Sequence, residues 1–247
     1  MTTYGLPDLD FVLWRGYDVT GIVTSYADEI ENPVEDRTAA GGAVEVSEFA
    51  GTQSGTIELG AFYDSVLTEA LEASVDGAQA VFMAALEGNT AGKYVACSAR
   101  ALKQHYQRAM ERGGLHKAVV SWIANDATFT IDRAQLIAPL AARTTAGNTQ
   151  ASYVDAGAAT TGGARWYVET TALTLGGYTN ATVQLQDSAD HVSWGDVSGA
   201  VATFTDIGAE MVAITGTVRQ YRACAWAYTG AGSNPSVTFA AALASYD

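Results

Sequence analysis

From residue 165 onward the chain is a succession of short runs punctuated by turn residues, and that rhythm leaves few folds open. The runs span 165–174, 181–187, 200–205, 210–215, 219–228 and 236–244. They are parted by Gly176-Gly177, Ser188-Ala189-Asp190, Gly208, Gly216 and Gly230-Ala231-Gly232. Short strands at such spacing, with turn chemistry between them, build an all-β sandwich. Trp166, Trp194, Phe204, Tyr221, Trp226 and Phe239 are its expected core.

The upstream part reads as strands with one helix. Phe11–Trp14 and Gly21–Thr24 are short apolar runs, and Thr56–Leu59 alternates polar with apolar as a half-buried strand does. Residues 64–73 place Val66, Leu67, Ala70 and Leu71 on one face, with Asp64 or Ser65 as the cap and Asp76-Gly77 as the stop, which predicts a helix. Ala80–Leu86 is a continuous apolar run of strand length. Stretches 94–108, 115–124 and 127–138 also read as strands, although Ala101–Glu111 fits a helix as well. Between the two parts, residues 143–166 are almost all Ala, Gly, Thr, Ser and Asn. Such a stretch offers little to bury, so it reads as a linker plus an opening strand, with few contacts across it. The expected division is 1–146 and 147–247, and truncation after Arg143 is expected to leave a soluble, assembly-competent protein.

Charge narrows the function. The 247 residues carry 13 Lys+Arg and 27 Asp+Glu, a net −14, which argues against a general nucleic-acid-binding face. The charge is segregated. Residues 1–92 net −14, residues 93–147 net +5 and residues 148–247 net −5. The first two segments therefore attract each other, within a subunit or between subunits. No run approaches the ~18 apolar residues of a membrane span, and the start shows no signal-peptide pattern.

Motifs of catalysis are missing from the sequence. His105, His116 and His191 share no metal-ligand spacing, and GAGSNP at 230–235 is a turn rather than a phosphate cradle. Cys97 and Cys224 lie in strand patterns where buried, inert thiols are expected. Asp187, Asp190 and Asp196 lack the pattern of a calcium loop and read as hairpin polarity. No cofactor, no metal and no enzymatic activity are expected. In so acidic a chain no particular carboxylate pair stands out for glycoside hydrolysis.

Several pieces resemble a known family in their order. They are RGYDVTG at 15–21, the acidic segment SYADEIENPVEDRTAAGG at 25–42, and VEVSEFAGTQSGTIELGAFYD at 44–64 running into the helix. VFMAALEGNTAGKYVACSARAL at 81–102 follows. Across residues 9–140 this resembles the major tail tube protein of long-tailed bacteriophages. The pair Glu48-Phe49 before a polar turn, and Gly60-Ala61-Phe62-Tyr63-Asp64 feeding the helix, carry the likeness. The segment 101–122 departs from it in being more basic.

The resemblance implies a mainly β protein: a tail-tube β-sandwich or barrel with one flanking α-helix, plus a second all-β, Ig-like sandwich. It implies six-membered rings stacked into a tube that conducts DNA without binding it specifically. It also implies a place in the virion after synthesis in the host cytoplasm, with tape-measure, tail-tip and terminator proteins as partners. On that reading the acidic loop Asp28, Glu29, Glu31, Glu35 and Asp36 meets Arg100, Lys103, Arg108, Arg112 and Lys117 of the next ring. Glu45, Glu48 and Glu58 are the expected lumen acids, since Glu58 between Ile57 and Leu59 must face away from the core. The alternative is a carbohydrate-binding or adhesion protein, which suits an aromatic C-terminal sandwich. Tyr178 and Trp194 are its candidate aromatics, although core or hairpin positions suit both.

Overall fold

A computed structural model describes residues 9–31, 34–36, 47–49, 54–62, 80–109, 116–124 and 131–246. The predicted helix at 64–73 and Glu45 lie outside them. The first strands are β1 (Phe11–Trp14), β2 (Tyr17–Asp18), β3 (Val23–Glu31), β4 (Val34–Asp36), β5 (Ser47–Phe49) and β6 (Ser54–Phe62). Next come β7 (Ala80–Ala85), β8 (Tyr94–Ala109), β9 (Lys117–Ala124), β10 (Asp132–Arg143), β11 (Gly147–Asn148) and β12 (Val154–Asp155). The last are β13 (Ala164–Thr174), β14 (Asn180–Ser188), β15 (Gly195–Phe204), β16 (Gly208–Ile214), β17 (Tyr221–Thr229) and β18 (Ser236–Ser245). Short 3₁₀ turns at Thr20–Ile22 and Gln150–Ser152 are the helical pieces among the described residues. The protein is mainly β.

One antiparallel sheet of eleven strands winds through the molecule in the order β16-β13-β18-β10-β8-β7-β1-β2, with β9, β6 and β3 continuing from β8. The length of β8 makes this winding possible. Its first residues pair with β10 and β7, while Ala101–Ala109 pair with β9. Those ladders make Ala101–Ala109 strand rather than part of the helix that the sequence also allowed. A second sheet, β11-β17-β14-β15 with β12 beside β17, covers one end.

Three cores separate the resulting four layers. Trp14, Phe82 and Trp122 centre the first, between β1/β7 and the lobe β9-β6-β3. Phe11, Leu13, Val81 and Met83 face the other way, onto Tyr167, Ala240, Ala242 and Ala244. Trp166, Val168, Phe239 and Leu243 then meet Val183, Leu185, Phe204 and Cys224 of the second sheet. Strands β1 and β7 are thus covered on both faces, so their sequences are unbroken apolar runs rather than alternating ones.

Few contacts were expected across residue 146, and here the structure corrects the sequence reading. Strand β10 is hydrogen-bonded to β18 from Gln135 to Arg143, and Ile137 and Ala138 belong to the C-terminal core. The Ala/Gly/Thr stretch is tied down as well. The Arg143 guanidinium donates to the carbonyls of Pro139 (2.9 Å) and Phe239 (3.0 Å) and stacks on the Phe239 ring. Trp226 Nε1 donates to the Thr145 carbonyl at 2.7 Å, and a Cβ on Gly147 would stand 2.9 Å from the Trp226 ring. Small residues there permit close packing; they do not mark slack. A chain cut after Arg143 would lose the cover of two cores, so the soluble truncation product is no longer expected.

Candidate assembly surface

The lobe β3-β6-β9-β8 presents a continuous outer face. Register carries rows straight across it: Ala27–Glu58–Ser121–His105 is one, and Glu29–Thr56–Ile123–Leu102 is the next. Glu58 is exposed between buried Ile57 and Leu59, so its carboxylate faces away from the core. Thr56 and Glu29 are exposed on the same side. The opposite face is apolar, with Ile57, Leu59, Val120 and Trp122 all buried.

The acidic segment differs from its expected form. Residues 28–36 were read as a loop, but Asp28, Glu29 and Glu31 belong to β3, and Glu35 and Asp36 to β4. The ladder to β6 fixes β3, because Tyr26 and Ile30 alternate with more polar neighbours as a half-buried strand requires. Asp28 lies on the core-facing side opposite Ile57, near Ile30, Leu86 and Ile131, and burial pushes its carboxyl up. That position suits a surface contact poorly. Glu48, assigned to the lumen, sits directly opposite Glu35, assigned to stacking, in the β4–β5 pair.

Of the basic set, Arg100, Lys103 and Arg108 lie on β8 and Lys117 on β9, with Arg100 and Lys117 exposed. Arg112 lies outside the described residues. Acidic β3 and basic β8 flank the same lobe, separated by β6 and β9. Asp28 and Lys103 stand in one register row, three strand spacings or ~14 Å apart. That exceeds the roughly 8 Å screening length at physiological salt, so the two strands do not neutralise each other inside one subunit across this lobe. Among the described residues β3 pairs only with β6, and Leu102–Ala109 pair only with β9. Among the described residues the lobe therefore ends in two strands of opposite formal charge, β3 and the second half of β8.

Other groups with chemical potential are occupied structurally. Both cysteines are buried, and burial pushes the Cys224 thiol up to about 12. Asp187 accepts the Arg219 N–H and its guanidinium at 3.6 Å. Asp190 accepts the Val192 and Ser193 N–H groups, and Asp196 accepts Gln186 Nε2 at 2.8 Å. These three aspartates therefore serve three separate contacts. No group of three His, Cys, Asp or Glu side chains converges among the described residues, and no described helix is long and apolar enough to cross a membrane.

Sequence reasoning missed two features. Asp132 in the second core accepts hydrogen bonds from the Tyr167 and Tyr246 hydroxyls, with the Arg165 guanidinium 3.5 Å away. Trp194 and Tyr221, expected in the core, instead join Tyr153 and His191 in a half-exposed cluster on the outer face of the second sheet. Tyr221 pairs with Ser188 in a row whose side chains point away from Leu185 and Cys224. Tyr178 packs on Tyr228, with ring centroids 5.6 Å apart. Four aromatics scattered between 153 and 221 carry no periodicity that a sequence reading could use.

No family model matches the chain, and no curated protein does. Among solved structures, a chain from the virion of the native gene transfer agent (GTA) particle is similar at TM-score 0.40 and 13% identity, covering 50% of this chain and 96% of that one. The SPP1 Dit (gp 19.1) protein, described as a paradigm of the hub adsorption apparatus of phages infecting Gram-positive hosts, gives TM-score 0.35 and 14% identity over 94% of this chain and 98% of that one. A chain from the tail of the empty GTA particle, computed with C6 symmetry, gives 0.33 and 12% over 54% and 84%. Likenesses this distant assign no function.

Proposed function

We propose that this chain is a structural protein of a phage tail, whose copies join β3 of one to β8 of the next and close into rings, so that the acidic–basic contact expected between stacked rings lies instead within a ring. The observation carrying this reading is the pair of oppositely charged strands that end one four-stranded lobe with no further strand partner among the described residues. An open nine-residue strand is an aggregation hazard unless something covers it. A complementary edge on the next copy covers it by a head-to-tail contact that closes if the rotation allows. The resemblance of residues 9–140 to tail tube proteins supplies the ring number, six, and the stacking of rings into a tube.

In that assembly the outer face of the lobe lines the bore, with Glu58 pointing into it and Glu45 and Glu48 contributing further acid. DNA carries one negative charge per ~1.7 Å of axis, so an acidic wall repels it toward the centre, whereas Lys or Arg would hold its phosphates. The role is structural rather than enzymatic, with DNA passing through unread. Residues 1–146 supply the bore-facing lobe in this reading, backed by β13 and β18 of the same eleven-stranded sheet. The second sheet, covering β13 and β18 from the far side, stands away from the bore as the outer layer of the second sandwich.

A charge swap tests the contact. Glu29→Lys with Glu31→Lys should stop assembly and leave the subunit folded, and so should Arg100→Glu with Lys117→Glu, both of which are exposed. All four changes in one chain should restore tubes. Tubes of normal length from either double variant would sink the proposal.

A further inference from the structure

The geometry points to a binding site for neutral glycan on the solvent side of the second sheet, which we propose independently of ring assembly. Its floor is the aromatic cluster. The Tyr153 ring lies 5.5 Å from His191 at an interplanar angle of 29°, 5.9 Å from Trp194 and 5.3 Å from Tyr221. These rings do no work for the core, because Val183, Leu185, Ala202 and Phe204 already fill the inner side of the same sheet. Tyr153 is 36% exposed, and His191 is exposed as well.

His191 is held deliberately. Its φ is +52°, a left-handed backbone that a non-glycine residue adopts at a cost. Asp190 enforces it by accepting the N–H groups of Val192 at 3.0 Å and Ser193 at 2.7 Å, together with the hydroxyls of Ser188 and Ser193. The result is an imidazole 5.1 Å from the Tyr221 ring.

Fixed polar groups border the rings. Asp155 accepts Gln220 Nε2 and the Gly157 N–H, each at 2.8 Å, and these bonds hold its carboxyl below the ordinary range. Gln150 donates to Gln186, which donates to Asp196, each at 2.8 Å, a line of side chains locked in place before any ligand arrives. Aromatic faces beside a few preset amide and carboxylate groups match a pyranose, whose C–H face is apolar and whose rim carries hydroxyls. Preset geometry lowers the entropy lost on binding.

Charge selects the class. Asp155 is the register partner of Tyr221, Asp190 precedes His191 and Asp196 lies two residues after Trp194, while the neighbouring Arg219 guanidinium is engaged by Asp187. Sulfated, phosphorylated or sialylated chains would be repelled, so the ligand is an uncharged hexose oligomer.

Saturation-transfer NMR on the full chain, with maltohexaose, cellohexaose and chitohexaose as probes, tests the site. At least one should receive saturation, and Tyr153→Ala with Trp194→Ala should weaken its binding by about tenfold or more. Asp155→Asn, which keeps the rings and the fold, should weaken it by a smaller factor. No transfer to any of the three at about 5 mM, a concentration that reveals even millimolar affinity, would overturn the proposal. Binding unchanged in the aromatic variant would do the same. So would self-association of the chain that the aromatic variant abolishes, since the patch would then be a contact between copies.

Discussion

The backbone N–H of Gly16 donates to Oε2 of Glu169 across 2.9 Å, joining positions 153 residues apart. Glu169 is fully buried in the layer between β1 and β13, and its other oxygen finds no hydrogen-bond partner among the described residues. Burial pushes its carboxyl well above the usual range, while the Gly16 bond pulls the other way and loses. The folded protein therefore favours the protonated acid. Its stability contribution is fully present below the unfolded-state pKa and is lost as pH rises toward the folded-state value. Glu169→Gln keeps an acceptor for Gly16 and removes the charge. The variant should melt at least ~2 °C above the parent at pH 8, with the gap closing toward pH 4. Thermal melts by circular dichroism across that range check it; an equal gap at both ends would refute the titration.

Gly16 itself admits no side chain. Its φ is +84°, and a Cβ there would stand 2.4 Å from the Gly208 nitrogen and 2.7 Å from the Thr170 carbonyl oxygen, both backbone atoms. Gly16→Ala should cost about 2 kcal/mol or more, whereas Gly21→Ala, with nothing within 4 Å, should be near neutral. Denaturant midpoints of the two variants decide the matter.

Asp132 is the shared acceptor of the buried network. Replacing it by Ala removes the carboxylate facing Arg165 and the acceptor of two tyrosine hydroxyls, at a cost of about 3 kcal/mol or more. A loss below about 1 kcal/mol in urea unfolding would show that the network is incidental.

Truncation after Arg143 removes β18 and β13, which cover β10 and the back of β1 and β7. The shortened chain should be insoluble, or should lack a cooperative transition in calorimetry. A soluble fragment with a sharp melt would show that the layers are separable.

How far the sequence was legible follows from which forces act locally. Strands β1, β7, β13 and β14 were readable to within a residue or two because their apolar runs end at strong turn signals. The acidic strand β3 was misread from Ser25 onward, since charge suppresses β signals and its pairing to β6 is long-range. Residues 143–149 resemble a linker because close packing and slack select the same small residues; Trp226 lying on Gly147 and donating to the Thr145 carbonyl distinguishes them. Glu58 could be assigned outward from alternation alone. Which surface faces a neighbour is a property of several chains, and no single sequence encodes it locally. The same holds for Trp194 and Tyr221, whose outward position depends on the register of β17 against β14.

Electron cryo-microscopy of the assembled protein decides how the copies join. Closed rings are expected, in which β3 of each copy is hydrogen-bonded to β8 of the next and Glu58 carboxylates face the bore. Rings with Glu58 on the outer surface, a bore lined by Lys or Arg, or a chain that stays monomeric at millimolar concentration would contradict this arrangement.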